Sequence, residues 1–299
     1  MSDDATGNAT GNATGNPLAR EEAVLIAAVL EAGAAIRERY EHGAAVYTKA
    51  DNSPVTDADL EANTILTARL RAAFPADALL TEEEPPVPEV GDAPRCWFID
   101  PLDGTASFVR HEPTFAVMVG LEVGGRPVVA AVYNPIRDEL YTATAGGGAR
   151  LVRGGGETLP LRFAPVSADT ARIGTAPRSF RTLMEDTPRW TGDPDRLLVK
   201  GRGGGFRPAA FANDRFDAYI GGLVDGLRGG GYPWDLIATD LIVHEAGGVF
   251  TDVFGGRYRY PRAHERLYGG YIGAKDPALH AYVLGMLRDA QSTTAEGKL

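Results

Sequence analysis

The sequence predicts a layered α/β (α+β) sandwich, and three observations carry that prediction. Two amphipathic helical patterns open the chain, a block of short apolar runs follows, and helix-like and strand-like segments then alternate to the end. Helices thus flank sheets twice, which fits stacked layers better than a regular strand-helix-strand repeat. A length of 299 residues corresponds to two domains or one large unit with a substantial core.

Residues 5–16 read Ala-Thr-Gly-Asn three times, a polar tract with nothing to bury, so 1–16 are expected to form a disordered tail. Asn16-Pro17 then supplies an N-cap and a first helical position, and Leu25, Ile26, Val29, Leu30, Ile36 and Tyr40 recur with helical period up to Gly43. A second helix starts at Thr56, with Asp57 and Asp59 in its first turn. It carries Leu60, Ile65, Leu66, Leu70 and Phe74 before Pro75 stops it. Ala78-Leu79-Leu80 and Cys96-Trp97-Phe98-Ile99 read as buried strands that exit into carboxylates. Residues 115–123 and 127–133 form a hairpin around Gly124-Gly125, and 139–143 add a strand. In the later half, 168–173, 196–200 and 248–253 are expected strands. Residues 208–216, 234–246 and 277–287 are expected helices, and the glycine-rich stretches 146–156, 203–205 and 221–231 are expected loops. The halves are set at 17–150 and 151–290, with the boundary near 145–165 and a flexible tail at 291–299.

Composition removes several classes of function. Forty acids against thirty bases give a formal charge of −10, so a phosphate-backbone partner is repelled on average and no nucleic-acid polymer is expected. No apolar run is long enough for a membrane span, and the first residues lack the basic and apolar regions of a secretory signal, which makes the cytoplasm the expected address. Five histidines and a single cysteine, Cys96, show no zinc spacing; Cys96 and His244 read as packing residues. Serine-hydrolase, dinucleotide and P-loop patterns are absent.

Chemistry concentrates where apolar runs end. Thr81-Glu82-Glu83-Glu84 and Asp100-Pro101-Leu102-Asp103-Gly104-Thr105 each hold carboxylates on a rigid strand exit. Like charges so placed are costly unless cations neutralise them, and hard divalent ions with oxygen ligands are the natural partners. Gly104 lets the backbone approach a ligand, and a helix opening at Thr105 would offer its first amides to phosphate. Asp235, opening the apolar-faced helix Trp234–Ala246, could bring a third carboxylate from the other half of the chain. Each has a plainer alternative. Glu82–Glu84 fit a solvated acidic loop, Asp59 a capping box with Thr56, Thr105 a helix cap and Asp235 a first-turn acid.

Taken together, these segments resemble the inositol monophosphatase family, Mg²⁺-dependent and lithium-sensitive phosphatases related to fructose-1,6-bisphosphatase. The resemblance rests on Val-Thr-x-x-Asp at 55–59, hydrophobic-x-Glu-Glu at 80–83, Asp-Pro-Leu-Asp-Gly-Thr at 100–105 and Trp-Asp…Glu-Ala-Gly-Gly at 234–248, and spans about 20–285. It implies an αβαβα sandwich, a homodimer and two or three Mg²⁺ per site. As metal ligands it implies Glu82, Asp100, the Leu102 carbonyl, Asp103 and Asp235, with phosphate on the backbone at Gly104 and Thr105. Asp59 and Thr105, together with Glu82, become the catalytic set that orients and deprotonates an attacking water. A loop at 43–56, including Lys49, is implied to close over the site. Haloacid-dehalogenase chemistry does not fit, because two residues separate Asp100 from Asp103 where that motif has one.

The substrate side departs from the family pattern. Arg202-Gly203-Gly204-Gly205-Phe206-Arg207 replaces the usual Gly-Ser/Thr-Ala-Ala, and the position of the inositol-gripping acid falls on Gly221 or Arg228, with Asp225 between them. Gly204, Arg207, Asp225 and Arg228 are therefore the candidate substrate residues. Their arginines suit a second anionic or planar group, as in a nucleotide, histidinol-type or sugar phosphate. The alternatives are an inositol-1-phosphate phosphatase and a non-catalytic metal-binding scaffold.

Overall fold

Helix α1 (Ala19–His42) and helix α2 (Asp57–Ala73) lie side by side, joined by a hairpin of β1 (Val46–Thr48) and β2 (Pro54–Thr56). The computed structural model describes residues 16–85, 90, 93–154, 156–177, 179, 181, 197–199, 211–212, 215–223 and 230–296. The first helix begins later than its sequence signal. Asn16 Oδ1 accepts from Leu18 N at 3.0 Å, which spends the asparagine on a turn and leaves Leu18 as the N-cap. The buried stripe of α2 is Ala58, Ala62, Leu66 and Leu70, whereas Leu60 is exposed, as is Leu30 on α1.

The large sheet has seven strands in chain order: β3 (Ala78–Thr81), β4 (Arg95–Asp103), β5 (Ala116–Val123), β6 (Arg126–Asn134), β7 (Glu139–Thr144), β8 (Gly148–Arg153) and β9 (Glu157–Leu161). All neighbours are antiparallel except β3 and β4. Alternation along the strands divides two cores. Trp97, Ile99, Val117, Val119, Val129 and Ala131 face α1 and α2, while Ala116, Met118, Ala130 and Val132 face the other way. The glycine-rich stretch 146–156 is not a loop throughout. Its glycines turn the chain at Gly146 and Gly148, both at positive φ, and β8 pairs with β7 along its whole length. Residue 150, where the sequence divides the halves, lies within β8, and the sheet continues to Leu161.

The second sheet is mixed, in the order β11 (Leu197–Val199), β10 (Ile173–Thr175), β12 (Ala218–Gly221), β14 (Tyr271–Ala274) and β13 (Val249–Asp252). The strand expected at 168–173 starts only at Ile173. Thr170 N and Ala171 N both donate to Ser167 O, and Asp169 N to Ser167 Oγ, which folds that segment into a turn. Of the expected helix at 208–216, Phe211 and Ala212 are helical, 215 and 216 are not, and the rest lies outside the described residues. Helix α4 (Pro233–Glu245) sits between the sheets: Leu236, Ile237 and Val243 pack with Phe211, Tyr219 and Phe250, while Ala238, Leu241 and Ile242 pack with the large sheet. Helix α5 (Pro277–Glu296) covers the far side through Leu279, Val283, Met286 and Leu287. It extends past 290 because no proline or glycine interrupts Arg288–Glu296, so the expected flexible tail is helical through Glu296. The layers are α1/α2, large sheet, α4, small sheet and α5, an αβαβα sandwich. No helix among the described residues is long and apolar enough to cross a membrane.

Candidate active site

Strands β3 and β4 run parallel and deliver their carboxylates to one edge. Glu82 N donates to Ile99 O at 3.0 Å, prolonging the ladder by a residue and setting Glu82 beside Asp100. Asp100, 1% exposed, accepts Leu102 N on Oδ1 at 3.1 Å, and the strand register shifts between Asp100 and Asp103. The chain then swings through Gly104, where a Cβ would lie 3.2 Å from Thr114 O and φ is +95°, so glycine is required. That turn opens the short helix α3 (Thr105–Val109).

Thr105 Oγ1 donates toward Asp59 Oδ1 at 2.9 Å and Leu102 O at 3.1 Å. Asp59 belongs to the capping box of α2: its Oδ2 accepts Thr56 N at 2.8 Å and Thr56 Oγ1 at 2.6 Å. Asp235 caps α4 in the same manner, Oδ2 accepting Tyr232 N at 2.8 Å. Glu82, Asp100 and Asp235 each offer an oxygen, and these oxygens all lie within 4.8 Å of one another. The cap and first-turn readings of Asp59 and Asp235 therefore hold, and both residues also face the carboxylate cluster.

This concentration of buried charge acts on the protonation of its own members. Burial, reinforced by Glu82, Asp103, Asp235 and Asp59, holds the Asp100 carboxyl well above the ordinary range. Burial also raises Asp59, against the hydrogen bonds from Thr56 and Thr105. Glu83 is pushed up to about 7 by burial, opposed by Lys49. Lys49, on the turn after β1, donates to Glu82 Oε1 at 2.8 Å and Glu83 Oε1 at 2.7 Å. From α2, Asn63 accepts Thr81 Oγ1 at 2.6 Å and donates to Glu84 Oε1 at 2.8 Å, so the acidic turn is anchored to the helix.

The structure thus gathers Asp59, Glu82, Asp100, Leu102, Gly104, Thr105 and Asp235 at one place. Asp103 stands close enough to act on Asp100 through its charge but outside the triad of converging oxygens. Gly204, Arg207, Asp225 and Arg228 lie outside the described residues, as does Arg202. Sequence reasoning missed Asn63, whose polar side chain on the buried stripe of a helix was the available signal. It also missed the pairing of Lys49 with Glu82 and Glu83, which no local pattern announces.

A layered αβαβα protein with an all-oxygen acidic cluster where two strand ends meet a helix start is the class that fold and site define. The model of the inositol monophosphatase family matches residues 18–292, and the chain belongs to that family, generally one of Mg²⁺-dependent phosphatases. It is 33% identical over 284 residues to the Nus factor SuhB of Escherichia coli (strain K12), covering 90% of this chain and 96% of that protein. Over 200 residues, 66% of each chain, it is 34% identical to the inositol-1-monophosphatase of a Synechocystis strain. The crystal structure of the extragenic suppressor protein suhB from Bartonella henselae superimposes with a TM-score of 0.71 at 26% identity, covering 89% of this chain and 97% of that one.

Proposed function

We propose that this protein is a Mg²⁺-dependent phosphomonoesterase that hydrolyses a small-molecule phosphate monoester by direct attack of water. The observation that carries the reading is the hydrogen bond from Thr105 Oγ1 to Asp59 Oδ1, 2.9 Å long, beside the three converging carboxylates. The donor set is oxygen only, and three carboxylates bring oxygens within 4.8 Å of one another, where a hard divalent cation would relieve their repulsion, so the residues fit Mg²⁺. Glu82, Asp100, the Leu102 carbonyl, Asp103 and Asp235 are the residues that would hold two or three ions. When bound, the ions supply Lewis acidity, drawing charge from the phosphoryl oxygens and making a water more acidic.

The remaining steps belong to side chains and backbone. Thr56 pins Oδ2 of Asp59, which leaves Oδ1 to receive the Thr105 hydroxyl proton while Thr105 Oγ1 takes one from the attacking water. Burial makes Asp59 a stronger base than an exposed aspartate. The amides at Gly104 and Thr105 stand at the opening of α3, before its own hydrogen bonds begin, and are assigned to the phosphate. Gly204, Arg207, Asp225 and Arg228 are assigned to the alcohol half, which favours a nucleotide, histidinol-type or sugar phosphate over simple inositol phosphate. A cytoplasmic homodimer without a nucleic-acid partner completes the reading, the last from the formal charge of −10.

The test is phosphate release from a panel of inositol, sugar, histidinol and nucleotide phosphates, with and without Mg²⁺ and lithium. Magnesium-dependent, lithium-sensitive turnover of one preferred substrate is expected. Magnesium binding without turnover on any member would overturn the reading. A Nus-type role shared with the Escherichia coli relative would survive Asp59→Asn, whereas phosphate release would not.

A further inference from the structure

Helix α2 carries a row of polar side chains at one-turn spacing, Asp59, Asn63 and Thr67, all buried in a stripe otherwise filled by Ala58, Ala62, Leu66 and Leu70. Burying a carboxamide is costly unless both of its ends find partners, and those of Asn63 do. The carboxylate of Glu84 can only accept, so the Nδ2 group of Asn63 faces its Oε1 at 2.8 Å. Oδ1 is thereby turned to the Thr81 hydroxyl, which donates to it at 2.6 Å.

The two partners flank the acidic turn. Thr81 ends β3 and Glu84 lies three residues on, so a single side chain grips the chain on either side of Glu82 and Glu83. The grip is reinforced at both ends: the Thr81 hydroxyl accepts Glu83 N at 3.4 Å, and Arg71, further along α2, donates to the other Glu84 oxygen at 3.1 Å. From the opposite side, Glu82 N is held by Ile99 O of β4 at 3.0 Å. The turn that carries Glu82 is thus located by two elements at once. One is β4, which carries Asp100; the other is α2, which carries Asp59 one turn, or about 6 Å, before Asn63.

We propose that Asn63 is a positioning residue whose carboxamide sets the separation between Glu82, assigned to the cation, and Asp59, assigned to the proton. The proposal rests on the phosphatase reading and adds to it the tie that keeps base and cation site in register. The tie needs a donor and an acceptor on one short side chain. Leucine fills the same space and makes neither bond, and aspartate accepts from Thr81 but meets Glu84 with like charge. Hydrogen-bonding partners that orient a metal site from outside it are worth about 10–100-fold in metal affinity or activity.

The test uses the full chain and measures Mg²⁺ affinity by titration calorimetry, kcat and KM for 4-nitrophenyl phosphate, and Tm in chelator. Asn63→Leu should bind Mg²⁺ about tenfold more weakly and lose about tenfold in kcat with KM little changed. Asn63→Asp should lose turnover to a similar extent. Glu84→Gln, whose amide oxygen still accepts from Asn63 Nδ2, should stay close to the wild type. Combining Asn63→Asp with Glu84→Gln reverses the bond, the carboxamide at 84 now donating to the carboxylate at 63, and should restore most of the turnover that Asn63→Asp loses. A purely structural role would lower Tm in Asn63→Leu while leaving Mg²⁺ affinity and kcat at wild-type values, and that result overturns the proposal. A double variant no better than Asn63→Asp overturns it as well, and this comparison decides if Asn63→Leu fails to fold. If the wild type binds Mg²⁺ but releases phosphate from no ester, the phosphatase reading falls alone, and the Mg²⁺ affinity of Asn63→Leu still upholds or overturns the tie. A wild type that binds no Mg²⁺ removes both.

Discussion

Asp59 serves two purposes with one carboxylate, and its two oxygens separate them: Oδ2 closes the start of α2 and Oδ1 receives Thr105. Asp59→Asn and Thr105→Val should each cost about 10²–10⁴-fold in kcat while Mg²⁺ affinity by calorimetry stays within a few-fold, and Thr105→Ser should retain most activity. Asp103→Asn is expected to abolish Mg²⁺-dependent turnover with the circular dichroism spectrum intact; full activity in that variant would remove Asp103 from the ligands. Glu83 gives a pH test. With its pKa near 7 in the fold against an ordinary 4.5, the folded chain keeps a proton that the unfolded chain releases between those values. The stability this group contributes is present below about 4.5 and is lost as pH rises through about 7. Glu83→Gln should therefore gain on the wild type in Tm from pH 5 to 8 in chelator, and a flat difference would show that the carboxyl is not raised. The four short motifs were legible because each is contiguous in sequence. The Lys49 to Glu82 pair was not, since only the folded chain brings those residues together.

Among the elements, the β1–β2 hairpin matters most to the site because it carries Lys49. That ammonium neutralises Glu82 and Glu83 and occupies an oxygen of a candidate metal ligand, so it stabilises the cation-free chain and competes with the cation. Lys49→Gln should lower Tm in chelator and tighten Mg²⁺ binding several-fold by titration calorimetry; weaker binding would contradict the competition. On the opposite layer, a Cβ at Gly33 of α1 would sit 2.3 Å from the Tyr133 ring on β6. Gly33→Ala is thus expected to cost about 1–3 kcal/mol in denaturant unfolding, as overpacking does. Helices α1, α2 and α4 and the hairpin of β5 and β6 were readable from period and punctuation. The turn at Ser167 was not, because its hydroxyl and carbonyl capture amides that an apolar pattern assigns to a strand. The strand β8 was hidden by the glycines that turn the chain into it.

At the scale of the molecule, α4 is the shared wall of both sheets: every residue from Leu236 to Val243 is buried, including Asp240, which accepts the Tyr260 hydroxyl at 2.9 Å. A helix enclosed on all sides ties the halves energetically, so they should melt in one calorimetric transition whose van't Hoff and calorimetric enthalpies agree. Ile237→Ala is expected to lower stability by about 2–5 kcal/mol without splitting that transition; two separated transitions would show that the sheets fold independently. The same helix start carries Asp235, while Glu82 and Asp100 come from the first sheet. During synthesis the ribosome therefore releases two corners of the carboxylate triad long before the third. A nascent chain therefore lacks the triad until Pro233 and the residues after it have emerged and docked. On the function proposed above, a cation that needs all three carboxylates can bind only after the last of them has emerged, so binding follows completion of the fold.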